Sequence, residues 1–232
     1  MTRTPAAPGA QQFIPPDADD LDALRTAAAS CRGCQLYQDA TQTVFGRGDR
    51  QARMVFIGEQ PGDLEDKQGM PFVGPAGNLL RRAVDDAGID PNQIYLTNVV
   101  KHFRFQLRGK RRLHQSPDRG HIVACRPWLV AEFAQLHPDV VVVLGATAAK
   151  ALLGPAFRVT RSRGVLLPWP DIAQRPQDFT EVPTDATGRI EAVAPAQLLA
   201  TLHPSAVLRA NDRKAAYQGL VADLTVAVRA LT

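Results

Sequence analysis

Cysteine is scarce in this chain, with only three among its 232 residues. An odd number of cysteines in a chain without a secretion signal argues against a disulfide framework. Long apolar runs are also lacking: MTRTPAAPGAQQFIPPDADD, the first twenty residues, has no apolar stretch that would suit a signal peptide or a membrane span. We therefore expect a cytoplasmic protein without membrane contact, in which residues 1–19 form a flexible tail and residues 20–232 a single domain.

Charge of one sign does not dominate either, since 27 Lys and Arg face 23 Asp and Glu. The resulting charge of +4 allows an acidic partner without requiring one. The distribution is uneven, because residues 101–120 include seven basic residues and one acid. Within this stretch, GKRRLHQSPDRG (109–120) places His114 behind three consecutive cations, Lys110, Arg111 and Arg112. Most basic runs are solvated loops, so the histidine is the unusual feature here.

Short apolar runs alternate with helical patterns along the chain. Strands are predicted at 53–58, 94–100, 140–145 and 197–204, and helices at 76–88, 116–137, 146–154 and 212–231. This alternation predicts an α/β fold, a three-layer sandwich with a central, mostly parallel four-stranded sheet.

Local signals refine this prediction at two places. Ser116 followed by Pro117 is typical of a helix start, and Pro127 predicts a kink or a break in the same helix. The proline-rich stretch 167–188 is interpreted as a surface excursion between two strands.

Polar residues follow the predicted strands where they end. Glu59, Gln60 and Asp63 come after the first strand, Asn98 ends the second, and His203 follows the last. Because ligands bind at the carboxyl ends of parallel strands, we expect these side chains around one pocket. The loop GEQPGD lacks the spacing of a phosphate loop, and its carboxylates would repel phosphate.

The three cysteines suit a metal centre better than a redox pair. Cys31 and Cys34 form CRGC at a helix end, whereas a redox CxxC normally follows a strand. With Cys125 they provide three thiolates, and the fourth ligand is either His102 or His121, one helical turn before Cys125. Zinc and an iron-sulfur cluster would both accept such a set.

Five motifs, in order, resemble the uracil-DNA glycosylase superfamily in its iron-sulfur branch: FIGEQPGD, GMPFVGPAGNLL, IYLTNVVKH, VVVLGATAAKALLG and TLHPSAVLRA. In addition, GKRRLH resembles the extra loop of UdgX, the branch of that family that links covalently to DNA. The resemblance runs from about Cys31 to the C-terminus. It implies a monomer that acts on uracil-containing DNA, single strands included, and that associates with the nucleoid when bound to DNA.

The resemblance also implies roles for individual residues. It places a [4Fe-4S] cluster on Cys31, Cys34, His102 and Cys125, with His102 standing where other members carry a cysteine. It implies catalytic roles for Glu59, His114 and His203, and substrate-binding roles for Gly58, Gln60, Asp63, Phe72 and Asn98. DNA contacts are expected from Lys110, Arg111, Arg112, Ser205 and Arg209.

Three functions are compatible with these features. In the first, Glu59 takes the imidazole proton of His114, which attacks the sugar cation left by uracil and stays bonded to DNA. The second is an ordinary turnover glycosylase whose basic loop only grips phosphate. The third is a non-catalytic nucleic-acid-binding module with structural zinc. We predict the first.

Overall fold

The computed structural model describes residues 9–169 and 197–231. The longer elements follow one another in this order: α1 (Leu21–Ala28), β1 (Met54–Gly58), α2 (Asp63–Gln68), α3 (Pro75–Asp86), β2 (Ile94–Asn98), β3 (Phe105–Arg108), β4 (Arg111–His114), α4 (Arg119–Gln135), β5 (Val140–Leu144), α5 (Ala146–Leu153), α6 (Val159–Ser162), β6 (Leu166–Pro168), β7 (Gln197–Thr201), α7 (Pro204–Leu208) and α8 (Arg213–Arg229). In these two ranges, no helix combines the length and the apolar character that crossing a membrane requires.

The central sheet has the strand order β2-β1-β5-β7-β6. The first four strands are parallel, and β6 pairs antiparallel with β7 at the edge. The predicted α/β class and the mostly parallel sheet are therefore confirmed, and the four predicted strands are present. The short fifth strand, Leu166–Pro168, was missed because three residues are too few to form a periodic pattern.

Helices cover both faces of the sheet, which makes the three layers. Every residue of β1 and β5 is buried, as expected of strands between two helical layers. Alternate strand residues point to opposite faces, so Val55 and Val141 pack with Leu129 of α4, while Phe56 and Val142 pack with Leu80 of α3.

Helix α4 begins later than the sequence predicted. Its N-cap is Asp118, which accepts a hydrogen bond from the His121 N–H at 3.1 Å, while the His121 side chain bonds back to the Asp118 N–H. This capping box replaces the predicted start at Ser116. The helix runs through Pro127 as one element, so the predicted break into two helices is wrong.

The basic segment 105–114 is a hairpin rather than a loop. Strands β3 and β4 pair antiparallel, with Phe105 opposite His114 and Arg108 opposite Arg111. Its turn contains Gly109 at φ 60°, a conformation that glycine adopts without steric cost. The hairpin forms its own two-stranded sheet next to the carboxyl edge of the central sheet.

Residues 9–19, part of the predicted tail, lie against the cysteines. The Ala10 N–H donates to the Ala124 carbonyl of α4 at 2.8 Å, and the Gly9 N–H donates to the Gly33 carbonyl at 3.1 Å. Ala10 is buried in a small apolar cluster with Cys31, Cys34, Cys125 and Trp128, among others. Most of the predicted excursion at 167–188 lies outside the described residues.

Candidate active site

The carboxyl edge of the sheet brings the predicted polar residues together. Glu59 follows β1, Asn98 ends β2, and His203 lies two residues after β7. These parallel strands are all in one sheet, so their ends meet at one edge. The hairpin adds His114 to the same place.

Gly58 lies against an aromatic ring and a carboxamide at this edge, and the place where Gly58, Phe72 and Asn98 meet is called the slot below. Gly58 pairs with Asn98 across β1 and β2. A Cβ on Gly58 would come within 2.8 Å of Phe72 Cζ and would also collide with Asn98 Oδ1. Only glycine at position 58 therefore lets these two side chains lie this close to the main chain.

Phe72 adopts a backbone conformation that side chains rarely take, with φ 56°. The loop that carries it is anchored by Glu65, whose Oε1 accepts a hydrogen bond from the Gly74 N–H at 2.8 Å. The Phe72 ring stacks with that of His203 at a centroid distance of 6.4 Å and an angle of 29°. Sequence reasoning missed Glu65, because a helical carboxylate gives no local signal of a partner nine residues away.

His203 presents a defined nitrogen to the slot. Its Nδ1 accepts a hydrogen bond from the Ser205 N–H at 3.1 Å and lies 2.8 Å from Ser205 Oγ. Burial, together with the smaller effects of the neighbouring His114 and Arg209, lowers the pKa of His203 to about 4. Because Nδ1 accepts, the neutral ring carries its proton on Nε2 and can donate there.

Glu59 and His114 meet beside the slot. His114 Nε2 lies 3.5 Å from Glu59 Oε1, and the His114 side chain is half exposed. Glu59 Oε1 is buried and receives no hydrogen bond from the described residues. A buried carboxylate oxygen without a donor is costly unless it serves a ligand or a proton transfer.

The Gln60 side chain bonds to the residues that flank both ends of the hairpin. Its amide nitrogen donates to the carbonyls of Arg104 and Gln115, at 3.1 and 2.9 Å, and its Oε1 accepts from the Arg104 N–H at 3.1 Å. The side-chain amide that was expected to bind substrate thus bonds to the chain itself, and its contact with substrate stays a prediction.

The Arg112 guanidinium binds carboxylates of the same chain. Its guanidinium bonds to Asp63 Oδ1 at 2.5 Å and to Asp66 Oδ2 at 2.6 Å, and it stacks over Phe103 and Phe105. The expectation that Arg112 contacts DNA stays a prediction, and in this structure its donors bind the carboxylates of α2. The Asp63 carboxylate faces Arg112 and Lys67.

The hairpin pairing divides its side chains into two faces. Arg112 and His114 share one face with Phe105, and this face meets the body of the protein. Arg108 and Arg111 lie opposite each other on the other face, where both are exposed beside Lys110. Sequence reasoning missed Arg108 as a DNA-contact candidate; the turn sequence RGKR, which is typical of a hairpin, was the available signal.

The two remaining predicted DNA contacts lie on and after α7. Ser205 is in the first turn of that helix, and its hydroxyl faces His203. Arg209 follows the helix and is exposed. Arg209 also influences the ionisation of His203, so it lies near the slot.

The three cysteines lie together in one buried cluster. Cys31 Sγ accepts a hydrogen bond from Trp128 Nε1 and Cys125 Sγ accepts one from the Lys101 N–H, both at 3.2 Å. Burial raises the pKa of Cys125 to about 12, and Cys34 and Cys31 also raise it. The three thiols are therefore buried and lie close enough to influence one another.

Across residues 9–169 and 197–231, no three His, Cys, Asp or Glu side chains are grouped so that they could hold a metal ion.

His102 and His121, the two candidates for the fourth ligand, differ in surroundings. His102 is buried, follows the residue whose N–H bonds to Cys125, and has its Nε2 2.9 Å from Thr43 Oγ1. Burial lowers the pKa of His102 to about 4, which leaves a neutral imidazole. His121 uses Nδ1 in the capping box of α4.

The fold and the residues of the slot define an α/β protein with a candidate ligand site at the carboxyl edge of its sheet. The family model of the uracil DNA glycosylase superfamily matches residues 45–225, which include the slot and the hairpin. The chain belongs to this superfamily.

Individual relatives agree with this assignment. A type-4 uracil-DNA glycosylase of Pyrobaculum aerophilum is 31% identical over 199 residues, which cover 86% of this chain and 90% of the relative. The type-4 enzyme of Thermotoga maritima is 37% identical over 150 residues, 64% of this chain and 74% of the relative. The type-4 enzyme of Sulfurisphaera tokodaii is 34% identical over 156 residues, which cover 65% of this chain and 68% of the relative.

Proposed function

We propose that this protein removes uracil from DNA and that His114 then captures the sugar. Two observations support the removal of uracil: the relatives are uracil-DNA glycosylases by name, and an aromatic ring, a carboxamide and an imidazole lie together at the carboxyl edge of the sheet. A base inside a helix is out of reach of these side chains, so the enzyme must flip it into the slot. DNA, single strands included, is then the partner of a monomer.

Each residue of the slot has its own role in recognising the base. Phe72 stacks on the ring face, and the Asn98 amide pairs with the polar edge, which differs between uracil and cytosine. Gly58 has no side chain and so lets Phe72 and Asn98 lie close to the main chain. Thymine carries an additional methyl group, and we expect the site to exclude it.

His203 stabilises the leaving group. As the N-glycosidic bond breaks, its electron pair goes to uracil and negative charge develops on the base. A neutral imidazole that donates from Nε2 meets this charge without needing to lose a proton of its own. The sugar is left with oxocarbenium character at C1′.

The proposed capture of the sugar by His114 rests on one observation: His114 Nε2 lies 3.5 Å from Glu59 Oε1. The imidazole nitrogen that holds the lone pair attacks C1′ and forms a C–N bond. The proton on the other nitrogen passes to Glu59, whose buried oxygen has no other donor. A neutral alkylimidazole is a poor leaving group, so the protein stays attached to the DNA.

The second candidate is a turnover glycosylase in which an activated water replaces His114. The names of the relatives favour it, because they are type-4 uracil-DNA glycosylases without mention of a covalent link. In that case Glu59 would activate the water instead of accepting the imidazole proton.

We also propose that Cys31, Cys34, Cys125 and His102 hold a [4Fe-4S] cluster. Such a cluster would hold residues 9–38 to α4 and to the segment after β2. Protein purified without oxygen should then be brown and contain iron and sulfide, whereas colourless active protein with zinc alone would refute the cluster.

Denaturing gel electrophoresis tests the function. Protein mixed with uracil-containing single- or double-stranded DNA should give a species that survives heat and detergent, together with one released uracil per protein. Matched DNA containing cytosine or thymine should give neither. Multiple turnovers without a crosslink would establish the second candidate, and absence of uracil release would reject both.

A further inference from the structure

A buried ion pair lies directly beneath the slot. Lys101 and Glu132 both have fully buried side chains, and Lys101 Nζ lies 2.6 Å from Glu132 Oε2. The ammonium also donates to the Thr97 hydroxyl at 2.6 Å and to the Asn98 carbonyl at 2.8 Å. All three of its protons are therefore used.

Glu132 is equally well satisfied. Its Oε1 accepts hydrogen bonds from the Gly46 N–H, the Tyr95 hydroxyl and the Thr97 hydroxyl, between 2.9 and 3.1 Å. It lies on α4, seven residues and about two turns after Cys125. The pair therefore joins the end of β2 to the helix that carries a cysteine of the proposed cluster.

Stability alone does not explain this pair. Removing two charges from water costs several kcal/mol per ion, and apolar residues of similar volume often replace buried pairs without loss. What apolar residues cannot do is donate to a carbonyl. The specific effect of Lys101 is the hydrogen bond that fixes the Asn98 main chain.

The chain at Asn98 needs such a restraint because regular strand pairing ends there. Beyond β2, the Val99 and Val100 N–H groups donate to the carbonyls of Gly58 and Glu59, both at 3.0 Å. These bonds hold one side of the segment, and Lys101 holds the other from within the core. The Asn98 side chain extends from a backbone that is tied on both sides.

We propose that Lys101 and Glu132 are positioning residues that set the orientation of the Asn98 amide and hence the recognition of the base. This inference rests on the proposed removal of uracil. The pair touches neither substrate nor reacting atoms; it acts through the Asn98 carbonyl.

The test is a neutral replacement of the whole pair, Lys101→Met with Glu132→Gln. The glutamine keeps a carbonyl oxygen for Gly46, Tyr95 and Thr97, so no charge is left buried and the fold should persist. Single-turnover uracil release should become about 10- to 100-fold slower, the usual effect of a misplacement near 1 Å. Affinity for DNA with an abasic-site analogue, which offers no base to Asn98, should change by less than about twofold.

Background variants separate positioning from general loss of structure. In an Asn98→Ala protein the pair replacement should slow uracil release by less than about twofold, because the group it orients is gone. In a His203→Gln protein, the pair replacement should slow uracil release by the same factor as in the wild-type protein. An effect that persists undiminished in Asn98→Ala, or an unchanged release rate in the original replacement, would overturn the proposal.

A matched control removes an ion pair at the opposite edge of the sheet. Arg53 and Asp139 lie before β1 and β5 and are joined at 2.5 Å. Arg53→Met with Asp139→Asn should leave uracil release unchanged. If the wild-type protein itself releases no uracil, the proposed function fails; if it does and the pair is without effect, only the positioning proposal fails.

Discussion

His114 Nε2 lies 3.5 Å from Glu59 Oε1, an oxygen that is buried and has no donor among the described residues. The two residues come from the end of a central strand and from the last position of the hairpin. The two residues are far apart in the sequence, so no local sequence pattern indicates their contact. The hairpin, clamped at its base by Gln60, is what makes the pair.

Replacing His114 with alanine should abolish the heat-stable species with uracil-containing DNA. Phe72, Asn98 and His203 do not depend on it, so DNA binding should persist. Water can enter the vacated space, and the variant should either release uracil and leave an abasic site or bind without reacting. Denaturing gels and a uracil-release assay distinguish these results. A stable uracil-dependent adduct in this variant would remove His114 from the nucleophilic role.

Glu59→Gln should slow adduct formation more than it weakens binding. The amide has the same shape as the carboxylate but cannot accept the imidazole proton, and general-base groups typically contribute about 10²- to 10⁴-fold. Rapid-quench kinetics with saturating DNA measure the adduct rate, and fluorescence anisotropy measures the affinity. Equal losses in both would indicate that Glu59 only shapes the site.

Gly58→Ala should close the slot to the base. Its Cβ would lie 2.8 Å from Phe72 Cζ, so uracil release should fall at least about 100-fold, while overpacking lowers the free energy of unfolding by about 1–3 kcal/mol. Gly120→Ala is a suitable control, because Gly120 is exposed in the first turn of α4. Near-normal release by Gly58→Ala would mean that the base binds elsewhere.

Arg111 and Arg112 should behave differently despite being neighbours. Arg111→Ala removes an exposed cation, so it should weaken binding similarly with and without uracil and reduce the salt slope by about one. Arg112→Ala breaks the contacts with Asp63 and Asp66, so it should slow adduct formation and lower the thermal midpoint without changing that slope. Salt-dependent binding of both variants measures the contrast. A reduced salt slope for Arg112→Ala would restore it as a phosphate contact.

His203 should make stability depend on pH. Burial lowers its pKa from 6.5 to about 4 in the folded protein. Between these values the unfolded chain binds a proton that the folded protein does not, so stability falls as the pH drops from 6.5 towards 4. Compared with His203→Gln, the wild-type protein should lose up to about 3 kcal/mol more over this range. Urea unfolding of both proteins at pH 7 and pH 4.5 provides the measurement; parallel losses would place a different group behind the effect.

The sheet could be predicted because its signals are local and repetitive. Runs such as VVVVL at Val140–Leu144 indicate a strand buried on both faces, and parallel order follows from the helices between strands. The same order places Glu59, Asn98 and His203 at one edge. All three residues lie at the carboxyl ends of parallel strands, and the alternation of strands and helices is enough to predict this location.

The role of the basic segment could not be predicted, since charge alone does not distinguish Arg112 from Arg111. The distinction depends on which face of a hairpin each residue occupies and on carboxylates about 50 residues earlier in the chain. The contacts of Gln60 could not be predicted for a similar reason, because its partners are backbone groups, which no sequence pattern indicates.

Strand alternation in the hairpin limits how this segment can change in length. Arg112 and His114 face inwards while Arg108 and Arg111 face outwards, and a single residue inserted within either strand would exchange these faces beyond the insertion. With an insertion before Leu113, the histidine would point to solvent and Leu113 towards Glu59. Substitutions at the outer positions can accumulate, but within its strands the hairpin can lengthen or shorten only by pairs of residues.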